Sequence, residues 1–378
     1  MTTHVFIVTE QSFKVHLEYM FVGTGAKGKD INFNGIADPK NPLPPQTENG
    51  LVSMMADFSR VRIGDYVIFY VQAAKKKEGK FYGIYQINSE PFYEPNRGTQ
   101  YLFKELGKNL TFRALIKPYK VYAKGVTEWE ALDEIKGINA PNQMLWSLIY
   151  RKLKGNRGNT MITIYEAERL FSLIRAKNNN KEINANSYSY KEDKVRGYKK
   201  FTKKYKSIRT EAFDIIPRLI SKIQKKQAYE SHLQMYITQY IGNHTSLDTA
   251  LSVNNKTLEW LGNEVSCGVG MQRIDIMFSQ NTDDIDREIV PVELKDESAK
   301  VDNVKQLSRY IDWIEQYYIS NRPSIIRPVL ICRASKLRKA TIQAFHAFNA
   351  QYKGRCLPLE YVEFTDNAGD LIFTNTPY

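Results

Sequence analysis

Between Arg273 and Lys295 two short strand-forming runs carry carboxylates inside apolar surroundings, and few folds can accommodate that pattern. The first run is Arg273-Ile274-Asp275-Ile276 and the second is Val290-Pro291-Val292-Glu293-Leu294-Lys295. Ser279 to Arg287 between them is rich in Asn and Asp, the composition of a turn. Side chains on a strand alternate between faces, so Glu293 and Lys295 share one face while Val292 and Leu294 take the other. Paired as a hairpin, the two runs would set Asp275 beside Glu293. The flanking Ile274, Ile276, Phe278, Val290 and Val292 predict a mostly buried hairpin. Burying unpaired carboxylates is costly unless a metal or a cation compensates. Two carboxylates and an ammonium at one end of a sheet could hold Mg²⁺ and direct a water at a phosphodiester. A D…ExK triplet is short, however, and with 25% charged residues it also arises by chance on a solvated strand. The neighbouring segments therefore decide how it is read.

Downstream, Val304, Leu307, Ile311 and Ile314 recur at spacings of three and four, predicting a helix over Val301 to Tyr318 with Gln306 and Tyr310 beside its apolar stripe. Upstream, Tyr229 to Ile241 reads as a helix on which Glu230 shares the packed face with Leu233 and Ile237. Taken together, residues 228–318 resemble the nuclease domain of the NucS-type branch of the PD-(D/E)xK superfamily. The matching elements are the helix with Glu230, the strand Gly270-Met271-Gln272-Arg273-Ile274-Asp275, the strand Val292-Glu293-Leu294-Lys295 and the helix with Gln306-Leu307-Ser308-Arg309-Tyr310. Met271 and Gln272 depart from the family, which often runs Gly-Arg directly into the Ile-Asp pair. The resemblance implies a central sheet flanked by helices and Mg²⁺ as cofactor, with Mn²⁺ able to substitute. It also implies Asp275 and Glu293 as metal ligands, Lys295 as the group that orients or deprotonates the water, and Glu230 and Gln306 as support.

A length of 378 residues predicts two domains, or three. No run of about eighteen apolar residues occurs, so no membrane span is expected, and Met1 to Glu10 lacks the pattern of a signal peptide. Cys267, Cys332 and Cys356 are few, odd in number and unpaired in spacing; they suggest a reducing cytoplasm and no zinc site. The five histidines form no ligand pattern. A formal charge of +13 favours a polyanionic partner, because Lys and Arg neutralise phosphates and release counterions. From Lys194 to Arg209 there are eight basic residues and no carboxylate, with Tyr198, Phe201, Tyr205 and Ile208 at helical spacing. This predicts an amphipathic basic helix whose Lys199, Lys200, Lys203 and Lys204 would meet the DNA backbone, or else a solvated face. The polar stretch from Asn178 to Ser187 before it reads as an interdomain linker.

Residues 1 to about 125 read as mostly strands, at His4 to Thr9, Asp65 to Val71, Lys80 to Asn88 and Leu110 to Tyr122. With their Gly and Pro punctuation they suggest a small barrel or strongly curved sheet. Val22 to Thr47 has little pattern and reads as a long loop. Residues 126 to 176 read as helical, with Arg151, Lys152 and Lys154 at a basic end. Three elements resemble the PUA-like group that includes EVE and YTH domains. These are Val5-Phe6-Ile7-Val8 followed by a polar turn, Ile63-Gly64-Asp65-Tyr66-Val67-Ile68-Phe69-Tyr70, and Phe81-Tyr82-Gly83-Ile84-Tyr85-Gln86-Ile87 leading into Ser89-Glu90-Pro91-Phe92. Domains of that group hold nucleic acid, and several accept a flipped, often modified, base in an aromatic pocket. Phe21 stands where YTH domains place a cage tryptophan; Tyr70, Tyr82 and Trp129 are further candidates. For each aromatic the competing role is core packing.

The resulting expectation is a two-domain α+β / α/β chain: a PUA-like β-barrel with helices over 1–175, a linker and basic helix over 176–210, and a PD-(D/E)xK α/β nuclease fold over 211–378. The combination most resembles modification-dependent restriction enzymes of bacteria and archaea. It implies a cytoplasmic DNA endonuclease acting on double-stranded DNA that carries a modified base, working as a homodimer because cutting both strands needs two sites. Two rival readings stand beside it. One is a repair endonuclease for mismatched or branched DNA, and the other is an RNA-binding factor with an inactive nuclease fold.

Overall fold

The computed structural model describes residues 1–25, 45–74, 77–94, 100–150, 158–200, 203–207, 214–243, 245–254, 256–268, 272–281, 287–320, 324–367 and 369–378. The chain forms two compact units, each mixing helices with a sheet. The first takes residues 1–43, 57–139 and 143–213, and the second takes 214–378 together with 44–56 and 140–142. Expectations that fall on Gly270-Met271, Phe201, Ile208, Arg209, Arg151, Lys152, Lys154 and most of the long loop lie outside the described residues.

In the first unit, β1 (Thr3–Val8) runs parallel to β3 (Tyr66–Val71) and antiparallel to β8 (Asn159–Ile162). The sheet continues from β3 through β4 (Lys80–Ile87) and β6 (Phe112–Pro118) to β2 (Phe21–Thr24), with β5 (Phe92–Tyr93) on β6 and β7 (Val126–Thr127) on β4. Among the described residues its hydrogen-bonded path runs from β2 to β8, the curved-sheet form of the expected barrel or strongly curved sheet. The Gly64-Asp65 turn has a direct physical role. Gly64 adopts φ +95°, which a side chain would resist, and the Asp65 carboxylate accepts the Thr2 and Arg62 amides and meets His4 Nε2 at 2.9 Å. That carboxylate ties the starts of β1 and β3 together.

Three local expectations are corrected. The polar turn after β1 is a helix, Glu10–Tyr19, opened by a capping box in which Thr9 and Ser12 exchange hydrogen bonds; Phe13, Val15 and Leu17 form its buried side. The long loop expected to reach Thr47 gives way at Pro45 to a helix, Pro45–Ser59. Proline is well placed at a helix start because its missing N–H has no partner there anyway. Finally, no basic helix opens at Lys194. β9 (Ser187–Lys191) and β10 (Lys194–Tyr198) form a hairpin, turned at Glu192-Asp193 with φ of 54° and 60°. Both positive values suit the tight turn that matches strand twist. Asp193 fastens the turn through Tyr82, Tyr190 and Lys80. Tyr188, Tyr190 and Val195 are buried as strand alternation requires, so the strand period overrides the helical spacing of the aromatics. Residues 203–207 have no regular secondary structure.

In the second unit, β11 (Thr257–Ser266), β12 (Arg273–Asn281) and β13 (Arg287–Lys295) form an antiparallel meander. From β13 the sheet turns parallel, through β15 (Val329–Arg333) to β16 (Glu360–Asn367), with β14 (Ile325–Ile326) also on β13 and β17 (Asp370–Asn375) at the edge. Parallel neighbours need a crossover, and helices Val301–Trp313 and Lys339–Gln351 supply two. Val304, Leu307, Ile311 and Ile314 are buried as their spacing predicts, and the last turn widens to a π-helix over Ile314–Tyr318.

Candidate active site and base-reading residues

The expected hairpin forms, and its register carries the site. Ile276 pairs with Val292; one step further, Asp275 turns from the ladder and its Oδ2 accepts the Leu294 amide at 2.8 Å. Glu293 and Lys295 project from the same face of β13. Lys295 Nζ lies 3.0 Å from Glu293 Oε1, 3.2 Å from Glu230 Oε2 and 4.0 Å from Asp275 Oδ2. Glu230 opens the helix Glu230–Tyr240. That helix is seated on the end of β13 by Tyr229, whose amide donates to Asp296 Oδ2 and whose hydroxyl donates to the Asp296 carbonyl. Four of the five residues expected from sequence thus converge: Asp275, Glu293, Lys295 and Glu230.

Burial and mutual repulsion shape the electrostatics. The Asp275 carboxyl is pushed well above its usual pKa, first by burial and then by the Glu293 charge. Burial works against the Lys295 ammonium, but Glu293, Asp275 and Glu230 outweigh it and hold its pKa above the ordinary lysine value. Glu230 is raised by burial, with Lys295 opposing. An ammonium so surrounded is a hydrogen-bond donor at neutral pH.

Two further residues, whose role the sequence alone does not mark, support the site. The Tyr310 hydroxyl lies 2.6 Å from Glu293 Oε2 and 2.9 Å from the Arg273 carbonyl, and burial followed by the Glu293 charge raises its pKa. Gln234 donates to the Asp275 carbonyl at 2.9 Å. Gln306, expected to support the site, is half-buried one helical turn before Tyr310 and makes no side-chain hydrogen bond to a described residue. Their spacing of four places both on one helix face, the signal that could have pointed to Tyr310.

The donor set suits a hard divalent cation. Glu293 Oε1 is buried without a hydrogen bond of regular geometry, leaving the nearby ammonium as its ionic neighbour. No three His, Cys, Asp or Glu side chains among the described residues stand as a preformed metal group. Mg²⁺ is usually held by only one or two carboxylates, with water completing its shell.

In the first unit the aromatic candidates do not converge. Tyr70 is buried and donates to Glu128 Oε2 at 2.6 Å. Tyr82 is buried against Phe13 and Tyr190 and donates to the Asp193 carbonyl. A side chain at Gly125 would meet the Tyr82 ring at 2.6 Å, so that ring lies flat on backbone as packed core. Trp129 is 63% exposed on the short helix Glu128–Leu132. An open cavity of about 360 Å³ beside that helix is lined by Val126, Glu130, Glu134, Leu173, Ala176 and Lys177, without any of these aromatics. Phe21 is fully buried on β2 and touches the rings of His16 and Tyr205.

No family model matches the chain. It is 32% identical over 102 residues to the UPF0310 protein PH1033 of Pyrococcus horikoshii, a match covering 24% of this chain and 62% of that protein. Among solved structures, it is similar to human THYN1 in complex with 5-methylcytosine-containing DNA, at 13% identity and a TM-score of 0.26, covering 46% of this chain and 97% of that one. The DUF55 domain of human thymocyte nuclear protein 1 scores 0.25 at 13% identity, covering 45% and 97%. Scores of that size do not define a shared fold.

Proposed function

We propose that this chain is a Mg²⁺-dependent DNA endonuclease whose first unit is a PUA-like reader of a modified base and whose second unit hydrolyses the phosphodiester. The convergence of Asp275, Glu293 and Glu230 on Lys295 carries this reading. A structural ion pair needs one carboxylate; three carboxylates around one ammonium, with one pKa strongly raised, is the pattern expected where charge must be managed for chemistry. Asp275 and Glu293 would hold the cation, which when bound neutralises charge on the scissile phosphate and favours ionisation of the attacking water. Tyr310 and the Leu294 amide hold those two carboxylates in place. Lys295 orients the water and donates to the oxygen on which charge develops, and Glu230 steadies the ammonium.

Phosphate contacts position a protein on DNA without carrying sequence information, so selectivity falls to a separate reader. The test is digestion of one plasmid prepared from methylating and non-methylating hosts, with Mg²⁺ and with EDTA. Cleavage of only the methylated plasmid, abolished by EDTA, is expected. Equal cleavage of both would favour a repair endonuclease, and none of either would leave a binding protein.

Lys199, Lys200 and Lys204 are exposed and have no carboxylate partner among the described residues, whereas Lys203 pairs with Glu18 at 2.6 Å. Neutralising the first three should weaken binding to all duplexes alike and lower the slope of log K against log salt by up to about three, roughly one for each phosphate that a lysine no longer neutralises. An unchanged slope would make them a solvated face.

A further inference from the structure

In the first unit the irregular segment 203–207 lays one ring into a slot that has more polar equipment than that ring uses. The Tyr205 ring sits 5.2 Å from Phe21, 5.9 Å from Phe92 and 5.0 Å from Tyr101, centroid to centroid. Its hydroxyl donates to Glu94 Oε2 and accepts from Arg113 Nη1, both at 3.0 Å. Glu94 and Arg113 are fully buried. Arg113 is aimed by the Leu110 and Tyr101 carbonyls and by Gln100 Oε1, and its guanidinium lies over the Phe21 ring at 5.2 Å. Glu94 Oε1 is buried with no hydrogen-bond partner among the described residues. A buried carboxylate with a spare oxygen is costly to keep, and one tyrosine hydroxyl does not require it.

We propose that this slot is the binding site for an extruded nucleobase and that Tyr205 is its resident plug. This rests on the base-reading half of the proposed function. The walls stand at 48° (Phe21), 62° (Phe92) and 81° (Tyr101) to the plug's ring, so they would enclose a flat base by tilted and edge contacts. Glu94 accepts from an N–H on the base edge and Arg113 donates to the acceptor beside it, so the fitting edge carries a donor next to an acceptor, which all four bases present and which leaves the choice among them to shape and substituents. The tyrosine hydroxyl, donating to one and accepting from the other, is the protein's own substitute for that edge.

The anchors of the plug suggest what would release it. Lys203 pairs with Glu18 and lies over the Tyr19 ring at 5.1 Å, and the Lys206 amide donates to the Tyr101 hydroxyl at 3.1 Å. A DNA backbone drawing Lys203 from Glu18 would loosen the residues that hold Tyr205 in place. Phosphate binding and opening of the slot are thereby coupled, so that a base enters only once the duplex is engaged.

The test uses the full chain in EDTA, so that no cleavage intervenes. Affinities are measured for otherwise identical duplexes carrying cytosine, 5-methylcytosine, adenine or N6-methyladenine at one position, unpaired in a second set. Tyr205→Ala should bind the preferred base three- to tenfold more tightly than wild type, with no change on the uninterrupted unmodified duplex. Glu18→Gln, which frees the anchor without touching the slot, should shift affinity in the same direction by a smaller factor. Hydrogen exchange should show residues 203–207 losing protection when the preferred duplex is added to wild type. If wild type discriminates among the bases but neither variant gains affinity, the plug is overturned while the reader stands. If no form of the protein discriminates, both the plug and the reader are overturned.

Discussion

Replacing Asp275 or Glu293 with alanine is expected to lower the rate of DNA cleavage by at least roughly 10²- to 10³-fold, the order seen when one preorganised electrostatic group is removed from a reacting centre. Each carboxylate supplies an oxygen that a hard cation requires. Each is also held by a dedicated donor, the Leu294 amide for Asp275 and the Tyr310 hydroxyl for Glu293. Lys295→Ala should lose cleavage as severely yet keep its metal, because a charged ammonium cannot be a ligand. Glu230→Gln should be milder, since that side chain is 44% exposed and acts through Lys295. Single-turnover cleavage and metal titration calorimetry check the set; full activity in EDTA or in either alanine variant would refute the assignment. A second readout separates chemistry from folding. The Asp275 carboxyl has a raised pKa in the fold, so above the unfolded value of about 4 its ionisation costs stability. The cost grows as pH rises toward the folded pKa. Asp275→Asn should therefore leave the metal-free protein at least as stable as wild type near neutral pH, even though it is inactive. A fall in Tm would mean that the carboxylate is structural.

Glu48→Ala is expected to destabilise the second unit by about 3 to 5 kcal/mol, the usual cost of breaking a buried ion pair from one side. Glu48 is 1% exposed and receives both Arg218 Nε and Nη2, at 2.7 and 2.8 Å. His232 Nε2 lies 2.7 Å from the same carboxylate and Lys222 Nζ lies 3.7 Å away. Removing the carboxylate strands two buried cations. Burial alone would raise the Glu48 pKa, but the Arg218 and His232 hydrogen bonds outweigh it and hold the carboxyl down to about 2. A depressed carboxylate contributes stability above its unfolded pKa of about 4.3 and loses it as pH falls toward 2. His232 is lowered by burial, and it too disfavours the fold as acid protonates it below about pH 6.5. Wild type should therefore lose stability steeply in acid, and Glu48→Ala should flatten that limb while lowering Tm by about 10 °C at pH 7. Calorimetry across a range of about pH 3 to 7, which brackets the unfolded carboxylate and imidazole values, tests both; an unchanged Tm would make the network dispensable.

The candidate active site was legible because its residues lie on regular elements with strong periods. Alternation around Asp275 and Glu293 identified two strands, their polar connection suggested a hairpin, and the Val304 to Ile314 stripe marked the following helix. Strand pairing then brings Asp275 and Glu293 together with little freedom, because a one-residue slip would turn every side chain to the wrong face. Local chemistry that competes with pattern was harder to see. The Thr9–Ser12 capping box turned an expected polar turn into a helix, and the Glu192-Asp193 turn, fastened by Tyr82 and Tyr190, made a hairpin of a segment spaced like a helix.

The sequence by itself determined the strand and helix carrying each residue of the candidate site, the need of Asp275 and Glu293 for a compensating cation, and the basic character that favours a polyanion. Only the tertiary structure decided which partners meet across long stretches of chain. Glu48 reaches Arg218 and His232 over a separation of 170 residues or more, and Tyr205 reaches Phe21, Glu94 and Arg113. Periodicity reports which face of an element is buried but not what lies opposite. A buried carboxylate far from its partner in sequence carries no local mark of the cation that stabilises it, and an aromatic residue looks the same whether it fills a core or stands in for a ligand.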